Sequence, residues 1–125
     1  MRVVFPLTLL LLAFAVAGLG PVLHAQDKDK NAIKDVMKEH AKGKIKDKIV
    51  EGTATSEEKK KMIELYEAME KVKPPKGDEE NWKKLTAALT KSAKDVEAGK
   101  DGAVDAYKKA FACKACHDAH RPAAK

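Results

Sequence analysis

The stretch Cys113-Lys114-Ala115-Cys116-His117 lies near the end of the chain, and the rest of the sequence is best understood from it. Two cysteines separated by two residues and followed directly by a histidine form the pattern to which c-type haem is attached. Each thiol adds across one vinyl group of the porphyrin, and the next side chain can then bind the iron through an imidazole nitrogen. On a helix these three residues share one face. The motif therefore predicts one covalent haem c per chain, held by Cys113 and Cys116, with His117 as an iron ligand.

Three other uses of the cysteines fit the sequence less well. A thioredoxin-like redox pair requires a βαβ setting, and the sequence has no strand pattern. A zinc site needs about four ligands, whereas the chain has 2 cysteines in total. A disulfide across so short a loop would constrain little of the unfolded chain. Haem attachment uses both cysteines and the adjacent histidine together.

Residues 1–25 are typical of a secretory signal peptide. Arg2 precedes an uncharged run from Val3 to Leu19, and small residues with a cleavage site after Ala25 follow it. An uncleaved membrane anchor is the alternative, because the run approaches the minimum spanning length. Its proline and glycine residues disfavour a firm spanning helix. We expect export to the periplasm, cleavage, and a single domain at 26–125 with no stable membrane anchor.

The mature chain is small and poor in bulky side chains. Its aromatic residues are Tyr66, Trp82, Tyr107 and Phe111. A domain of this size is marginal when it must build its core from so few large residues. A buried porphyrin would add apolar volume, so the haem is expected to form part of the core.

The charge of the chain is basic but mixed. The full sequence carries a formal net charge of +6. Lysines are interleaved with acids, as in residues 26–30 and 57–61, and no cluster of arginines or stacking aromatics accompanies them. This pattern is typical of solvated helix faces, so we expect no nucleic acid as a partner. An acidic redox partner protein remains compatible with the charge.

Apolar residues at three- and four-residue steps predict two helices in the first half of the mature chain. The first runs from about Lys30 to Val50, with Gly43 as an interruption and Gly52 as its end. Its apolar stripe comprises Ile33, Val36, Met37, His40, Ala41, Ile45 and Ile49. The second opens on the capping box at 55–58. Its stripe comprises Met62, Leu65, Tyr66, Met69 and Val72.

Two further helices follow the Pro74–Gly77 loop. Asp78 can cap the third helix, which ends at a turn over Gly99–Gly102. Its stripe comprises Trp82, Leu85, Leu89, Ala93 and Val96. The fourth begins near Ala103 and continues through the haem motif to Pro122. Four such helices with short loops bury their stripes most simply as an antiparallel bundle. We therefore expect an all-α, antiparallel four-helix bundle with haem on its C-terminal helix.

This organisation resembles the class II c-type cytochromes, the family that includes cytochrome c prime and its low-spin relatives. The haem motif lies close to the C-terminus on the fourth predicted helix. Arg121 follows His117 by four residues, as in the family's Cys-x-x-Cys-His-x-x-aromatic-Arg ending. His120 departs from that pattern by replacing the aromatic residue, and we expect it to be exposed or close to a propionate. The resemblance implies that His117 is the proximal ligand and that Arg121 pairs with a propionate or stacks near the imidazole. An exposed C-terminal charge is the alternative for Arg121.

The sixth iron ligand has three candidates. The resemblance implies a methionine of the first helix where a sixth ligand exists, and Met37 is the one methionine of that helix. His40 lies three residues further on and is the rival. A bare distal side is the third alternative, as in five-coordinate members of the family that bind nitric oxide or carbon monoxide. Ligation by methionine and histidine would raise the reduction potential.

The expected function is electron transfer between larger redox partner proteins, without enzymatic catalysis. No Ser-His-Asp pattern, glycine-rich phosphate loop or paired-carboxylate motif stands out in the sequence. A gas-binding or sensing module is the alternative, and it would require an open distal site. A peroxidase-like enzyme would depend on His40 as its acid–base residue. The family often forms homodimers through its first two helices, which the sequence leaves open here.

Overall fold

The computed structural model describes residues 22–124, and the regular structure of this part of the chain is entirely helical. The helices are α1 (Val22–Lys38), α2 (Ile45–Glu51), α3 (Ser56–Glu70), α4 (Glu79–Glu97), α5 (Ala103–Ala110) and α6 (Cys113–His120). The all-α prediction is therefore confirmed. Of the predicted signal peptide, residues 1–21 lie outside the described residues. None of the described helices is long and apolar enough to cross a bilayer.

The predicted helix starts of α3 and α4 are confirmed by their caps. The Thr55 hydroxyl accepts a hydrogen bond from the Glu58 amide at 3.1 Å, and the Glu58 carboxylate accepts one from the Thr55 amide at 3.0 Å. This reciprocal pair is a capping box. The Asp78 carboxylate accepts from the amide of Asn81 at 2.8 Å and caps α4. Short polar signals in the sequence were sufficient to locate both helix starts.

The prediction of one helix from Lys30 to Val50 is wrong. A π-helical turn over Glu39–Gly43 follows α1, and Lys44 then adopts a left-handed conformation with φ 53°. The Glu39 side chain lies over this turn, where a Cβ on Gly43 would meet its carboxylate. The wider turn and the break change the phase of the apolar stripe. Ala41 is consequently exposed, while Ile45 is buried on the separate helix α2.

The prediction of one continuous last helix is also wrong. Helix α5 ends at Ala110, and Ala112 has an extended ψ of 97° before α6 begins at Cys113. Phe111 packs edge-on against Tyr107, with ring centroids 5.0 Å apart. No glycine or proline lies at this break. The haem motif therefore occupies a short helix of its own.

The core is formed mainly by α3, α4 and α5. Helix α3 packs most extensively on α4, α4 packs on α5, and α1 packs on α3, whereas α6 makes a smaller contact with α4. The buried apolar residues are Val36, Ile45, Ile49, Met62, Ile63, Tyr66, Met69, Trp82, Leu89, Ala93, Val96, Ala103 and Tyr107. Burial of these side chains is the main favourable term for folding.

The loop between α3 and α4 is held close to α6. The indole nitrogen of the buried Trp82 donates to the carbonyl of Val72 at 2.8 Å. Gly77 has a positive φ of 84°, and a Cβ added there would lie 2.4 Å from the carbonyl oxygen of Ala119. Glycine is required by this backbone conformation and by the close approach. The loop thus fixes the position of the end of α6.

Candidate cofactor site

A cavity of about 430 Å³ lies where α1, α6 and the loop before α4 meet. Its volume falls in the range of small-molecule and cofactor sites. Its lining residues are Ile33, Met37, His40, Ala41, Lys46, Pro75, Trp82, Cys113, Cys116, His117, His120, Arg121 and Pro122. Every residue that the sequence suggested for haem attachment, iron ligation or propionate pairing therefore borders this one cavity.

Helix α6 supplies the two thiols and the imidazole. Cys113 is exposed, Cys116 and His117 are half-buried, and both cysteines are free thiols. Burial raises the pKa of the Cys116 thiol. The three side chains share one face of the helix because they stand at i, i+3 and i+4. This face borders the cavity.

Helix α1 and the turn that follows it supply the two candidates for the sixth iron ligand, Met37 and His40. Both are half-buried and line the cavity. A smaller cavity of about 40 Å³ is also bordered by both of them, together with Cys113, Cys116 and His117. These five side chains thus adjoin both cavities. The thioether and the second imidazole lie in the same site as the haem motif.

His40 is part of a buried hydrogen-bonded chain that the sequence did not reveal. Its Nε2 lies 2.7 Å from the hydroxyl of Tyr66, which lies 2.5 Å from the hydroxyl of Tyr107. Both tyrosines are fully buried. Burial, and then the charge of Lys46, lowers the pKa of His40 to about 4. Burial also raises the pKa of Tyr66 above its ordinary range and that of Tyr107 to about 12. At neutral pH all three groups are uncharged.

We expected His120 to be exposed or close to a propionate, and the expected exposure is wrong. His120 is only 2 % exposed. Its Nδ1–H donates to the carbonyl of Lys76 at 2.8 Å, and Nε2 lies 3.1 Å from Oδ1 of the Asn81 amide, whose N–H donates to Nε2 in the other orientation of that amide. The ring also packs edge-on against Trp82, with centroids 5.2 Å apart. Because both nitrogens are engaged, His120 anchors α6 to the loop and to α4.

Two basic side chains, Arg121 and Lys46, border the cavity. Arg121 is exposed and lies just after α6. Lys46 is half-buried, lies 3.2 Å from the carboxylate of Asp47, and stands 4.9 Å above the ring of Phe111. The sequence reasoning singled out Arg121 but not Lys46, because the position of Lys46 depends on the break before α2. Both can pair with carboxylates at the cavity.

The donor set of this site is suited to haem. Among residues 22–124 no group of three or more histidines, cysteines and acids is arranged to hold a metal ion. Two thiols and an imidazole on one helix face match the attachment and axial ligation of haem c. The cavity beside them is largely apolar in its lining, and a thioether lies on its α1 side. These residues could hold a haem, and the fit supports the predicted cofactor.

Comparison of the chain with protein-family models, with curated proteins and with solved structures gave no match in any of the three.

Proposed function

We propose that this protein is an exported monohaem c-type cytochrome of class II type that transfers electrons between redox proteins. The observation that carries the proposal is the convergence of Cys113, Cys116, His117 and Met37 on one apolar cavity. The pattern of two thiols and an adjacent imidazole on one helix face has few other chemical uses. A soft thioether at the same cavity adds the ligand that suits a redox-active iron.

The residues would divide the work between attachment and iron ligation. Cys113 and Cys116 would hold the haem as thioethers, each by addition of S–H across one vinyl double bond, which needs no oxidant. His117 and Met37 would bind the iron, and Arg121 and Lys46 would be available to the propionates. When bound, haem c supplies an iron that takes up and releases one electron.

The helix contacts support the finer prediction of an antiparallel four-helix bundle. In that arrangement α1 with α2 forms the first unit, α3 the second, α4 the third, and α5 with α6 the fourth. Helix α1 packs on α3, α3 on α4, and α4 on α5, while α2 packs on both α3 and α5. Consecutive units in contact and short connections are typical of such bundles.

The first experiment tests covalent attachment. The full chain is produced in a periplasm that contains haem-maturation machinery, and its intact mass and free thiols are measured. We expect cleavage close to Ala25, a mass increase of one haem and no alkylatable thiol. The matched control is the Cys113→Ser/Cys116→Ser double variant, which should carry no covalent haem. A wild-type mass equal to that of the polypeptide, with both thiols reactive, would refute the proposal.

The second experiment separates electron transfer from gas binding. Optical spectra of the oxidised and reduced protein are recorded with and without carbon monoxide. A six-coordinate iron in both oxidation states, with slow or absent carbon monoxide binding, is expected for an electron carrier. Prompt binding to the reduced protein would instead favour the gas-binding alternative. Reversible one-electron reduction in a spectroelectrochemical cell then yields the potential.

A further inference from the structure

The two candidate sixth ligands, Met37 and His40, lie in different chemical environments. Both are half-buried and border the same cavities. The imidazole of His40 is hydrogen-bonded through Nε2 to the hydroxyl of Tyr66 at 2.7 Å. The thioether of Met37 has no strong hydrogen bond to give up, because sulfur of this type is only a weak acceptor. The cost of turning toward an iron therefore differs between the two side chains.

The protons of the buried chain can be assigned by counting donors and acceptors. The hydroxyl of Tyr107 is fully buried, and Tyr66 is its one hydrogen-bond partner among the described residues. Since a buried hydroxyl proton without an acceptor is unfavourable, Tyr107 donates to Tyr66. The proton of Tyr66 is then donated to Nε2 of His40. His40 is consequently the Nδ1–H tautomer with the Nε2 lone pair engaged.

This assignment leaves His40 without a nitrogen that is free to bind iron. Nδ1 carries the proton, and Nε2 accepts from Tyr66. An iron bond to His40 would break the Tyr66 hydrogen bond and would leave a fully buried hydroxyl proton unpaired. The reverse order, with His40 donating to Tyr66 and Tyr66 to Tyr107, leaves the Tyr107 proton without an acceptor among residues 22–124. The first order is therefore the favourable one.

We propose that Tyr66 selects the sixth iron ligand by holding His40 through Nε2 and so leaving the thioether of Met37 to bind the iron. Tyr66 is thus a positioning residue that acts through His40. The inference rests on the proposed function, because it concerns the coordination of a covalently attached haem. Through this choice of ligand, the hydroxyl of Tyr66 controls the reduction potential, since methionine and histidine ligands give different potentials.

The test uses the haem-loaded full chain and removes one hydroxyl at a time. In Tyr66→Phe we expect His40 to replace Met37, with loss of the weak red absorption band that marks a thioether bound to ferric iron. The potential should fall at the same time. Tyr107→Phe is the matched control, because it removes a buried hydroxyl of the same chain while Tyr66 can still donate to His40. It should keep the band and stay close to the wild-type potential.

A second pair of variants tests whether His40 is the replacing ligand. His40→Ala alone should keep the thioether band, because His40 does not bind iron in the wild-type protein. The double variant Tyr66→Phe/His40→Ala should recover the band that Tyr66→Phe loses. A Tyr66→Phe protein that carries covalent haem and retains the wild-type band and potential would overturn the inference. So would a wild-type protein with covalent haem but no thioether band.

If the Tyr66→Phe protein fails to fold, a measurement on the wild-type protein still tests the inference. Nitrogen NMR of the reduced wild-type protein reports the tautomer of His40, and we expect Nδ1–H with Nε2 as acceptor. An Nε2–H tautomer, or a His40 ring bound to iron, would overturn the inference. Absence of covalent haem from the wild-type protein would instead refute the proposed function itself, so the two failures are distinguishable.

Discussion

The seam between α3 and α4 and the site around α6 are built differently although they share one small domain. The seam is closed by the protein's own side chains, among them Met62, Ala93 and Val96, which are buried. Around α6, by contrast, Met37, Cys116 and His117 are only half-buried and border a cavity of about 430 Å³. The candidate cofactor residues are thus located where side-chain packing is incomplete. The tightly packed core and the candidate site lie in different regions of the fold.

Substituting alanine for a methionine in each region tests the contrast between the seam and the site. The substitution in the seam should have the largest effect on stability. Met62→Ala should lower the free energy of unfolding by about 2–5 kcal/mol, because a fully buried side chain is removed from a closed core. Met37→Ala should cost less, because its side chain already borders a cavity, but it should abolish the thioether band. Urea unfolding of the haem-loaded protein, followed by far-UV circular dichroism, measures both. Equal losses of stability would contradict the contrast.

The close approach of the α3–α4 loop to α6 is tested at Gly77. Gly77→Ala should destabilise the protein by more than Gly99→Ala, although both glycines have a similar positive φ. The left-handed conformation alone costs roughly 1–2 kcal/mol for an alanine, and this is the whole effect expected at Gly99, where an added Cβ meets nothing within 4 Å. At Gly77 the collision with the Ala119 carbonyl adds to it. Chemical unfolding of the two variants side by side measures the difference, and equal costs would show that the loop yields freely.

The anchoring of α6 is tested at His120. His120→Ala should cost roughly 1–3 kcal/mol, because it leaves the Lys76 carbonyl without its donor and removes the edge contact with Trp82. Amide hydrogen exchange in α6 should accelerate while exchange in α3 changes little. Asp118→Ala is the control, since Asp118 is exposed and its ion pair with Lys114 lies at the surface. Uniformly faster exchange throughout the protein would indicate global rather than local loosening.

The smallest effect is expected at a surface ion pair that joins α3 to α4, formed by Glu67 and Lys94. The hydrogen bond from Lys94 lowers the pKa of Glu67 below its ordinary value of 4.5. This pair therefore contributes stability above pH 4.5, and the contribution is lost as the pH falls through the lowered pKa. Glu67→Gln should be slightly less stable than the wild type at neutral pH and should converge with it in acid, because exposed pairs contribute little.

The control for this prediction is Glu64→Gln, which changes an exposed acid in the middle of the same helix that forms no ion pair within the described part of the chain. Its thermal midpoint should follow that of the wild type at every pH. A large loss for Glu67→Gln, comparable with that of Met62→Ala, would contradict the view that the buried seam dominates stability.

Local patterns in the sequence were sufficient for the all-α fold, for the caps at Thr55 and Asp78, and for the ends of helices at Gly52 and Gly99. Each of these features depends on residues within a few positions of one another. The shared face of Cys113, Cys116 and His117 was predictable for the same reason. The haem itself, the signal peptide and the redox function remain predictions drawn from such patterns.

Other features were decided only by the tertiary structure. The break at 111–112 contains no glycine or proline, and it arises where Phe111 packs against Tyr107 and lies beneath Lys46. His120 was expected at the surface or near a propionate but is buried, because Trp82 and the carbonyl of Lys76 surround it. These partners are distant in sequence, so the local pattern holds no information about them.

The hydrogen bonds from His40 through Tyr66 to Tyr107 show most clearly the difference between what local patterns predict and what the tertiary structure decides. Periodicity assigned His40 and Tyr66 to apolar stripes, and it gave no sign that their polar groups would meet that of Tyr107. The three polar groups meet because α1 packs on α3 while α4 packs on both α3 and α5, which brings residues 26 and 41 positions apart within hydrogen-bond distance. The sequence by itself determined which side chains are candidates for the chemistry and which faces are apolar, because those follow from residue type and helical period. Only the packing of the helices decided which of those side chains are free to react, because burial forces each polar group to find a partner on another helix.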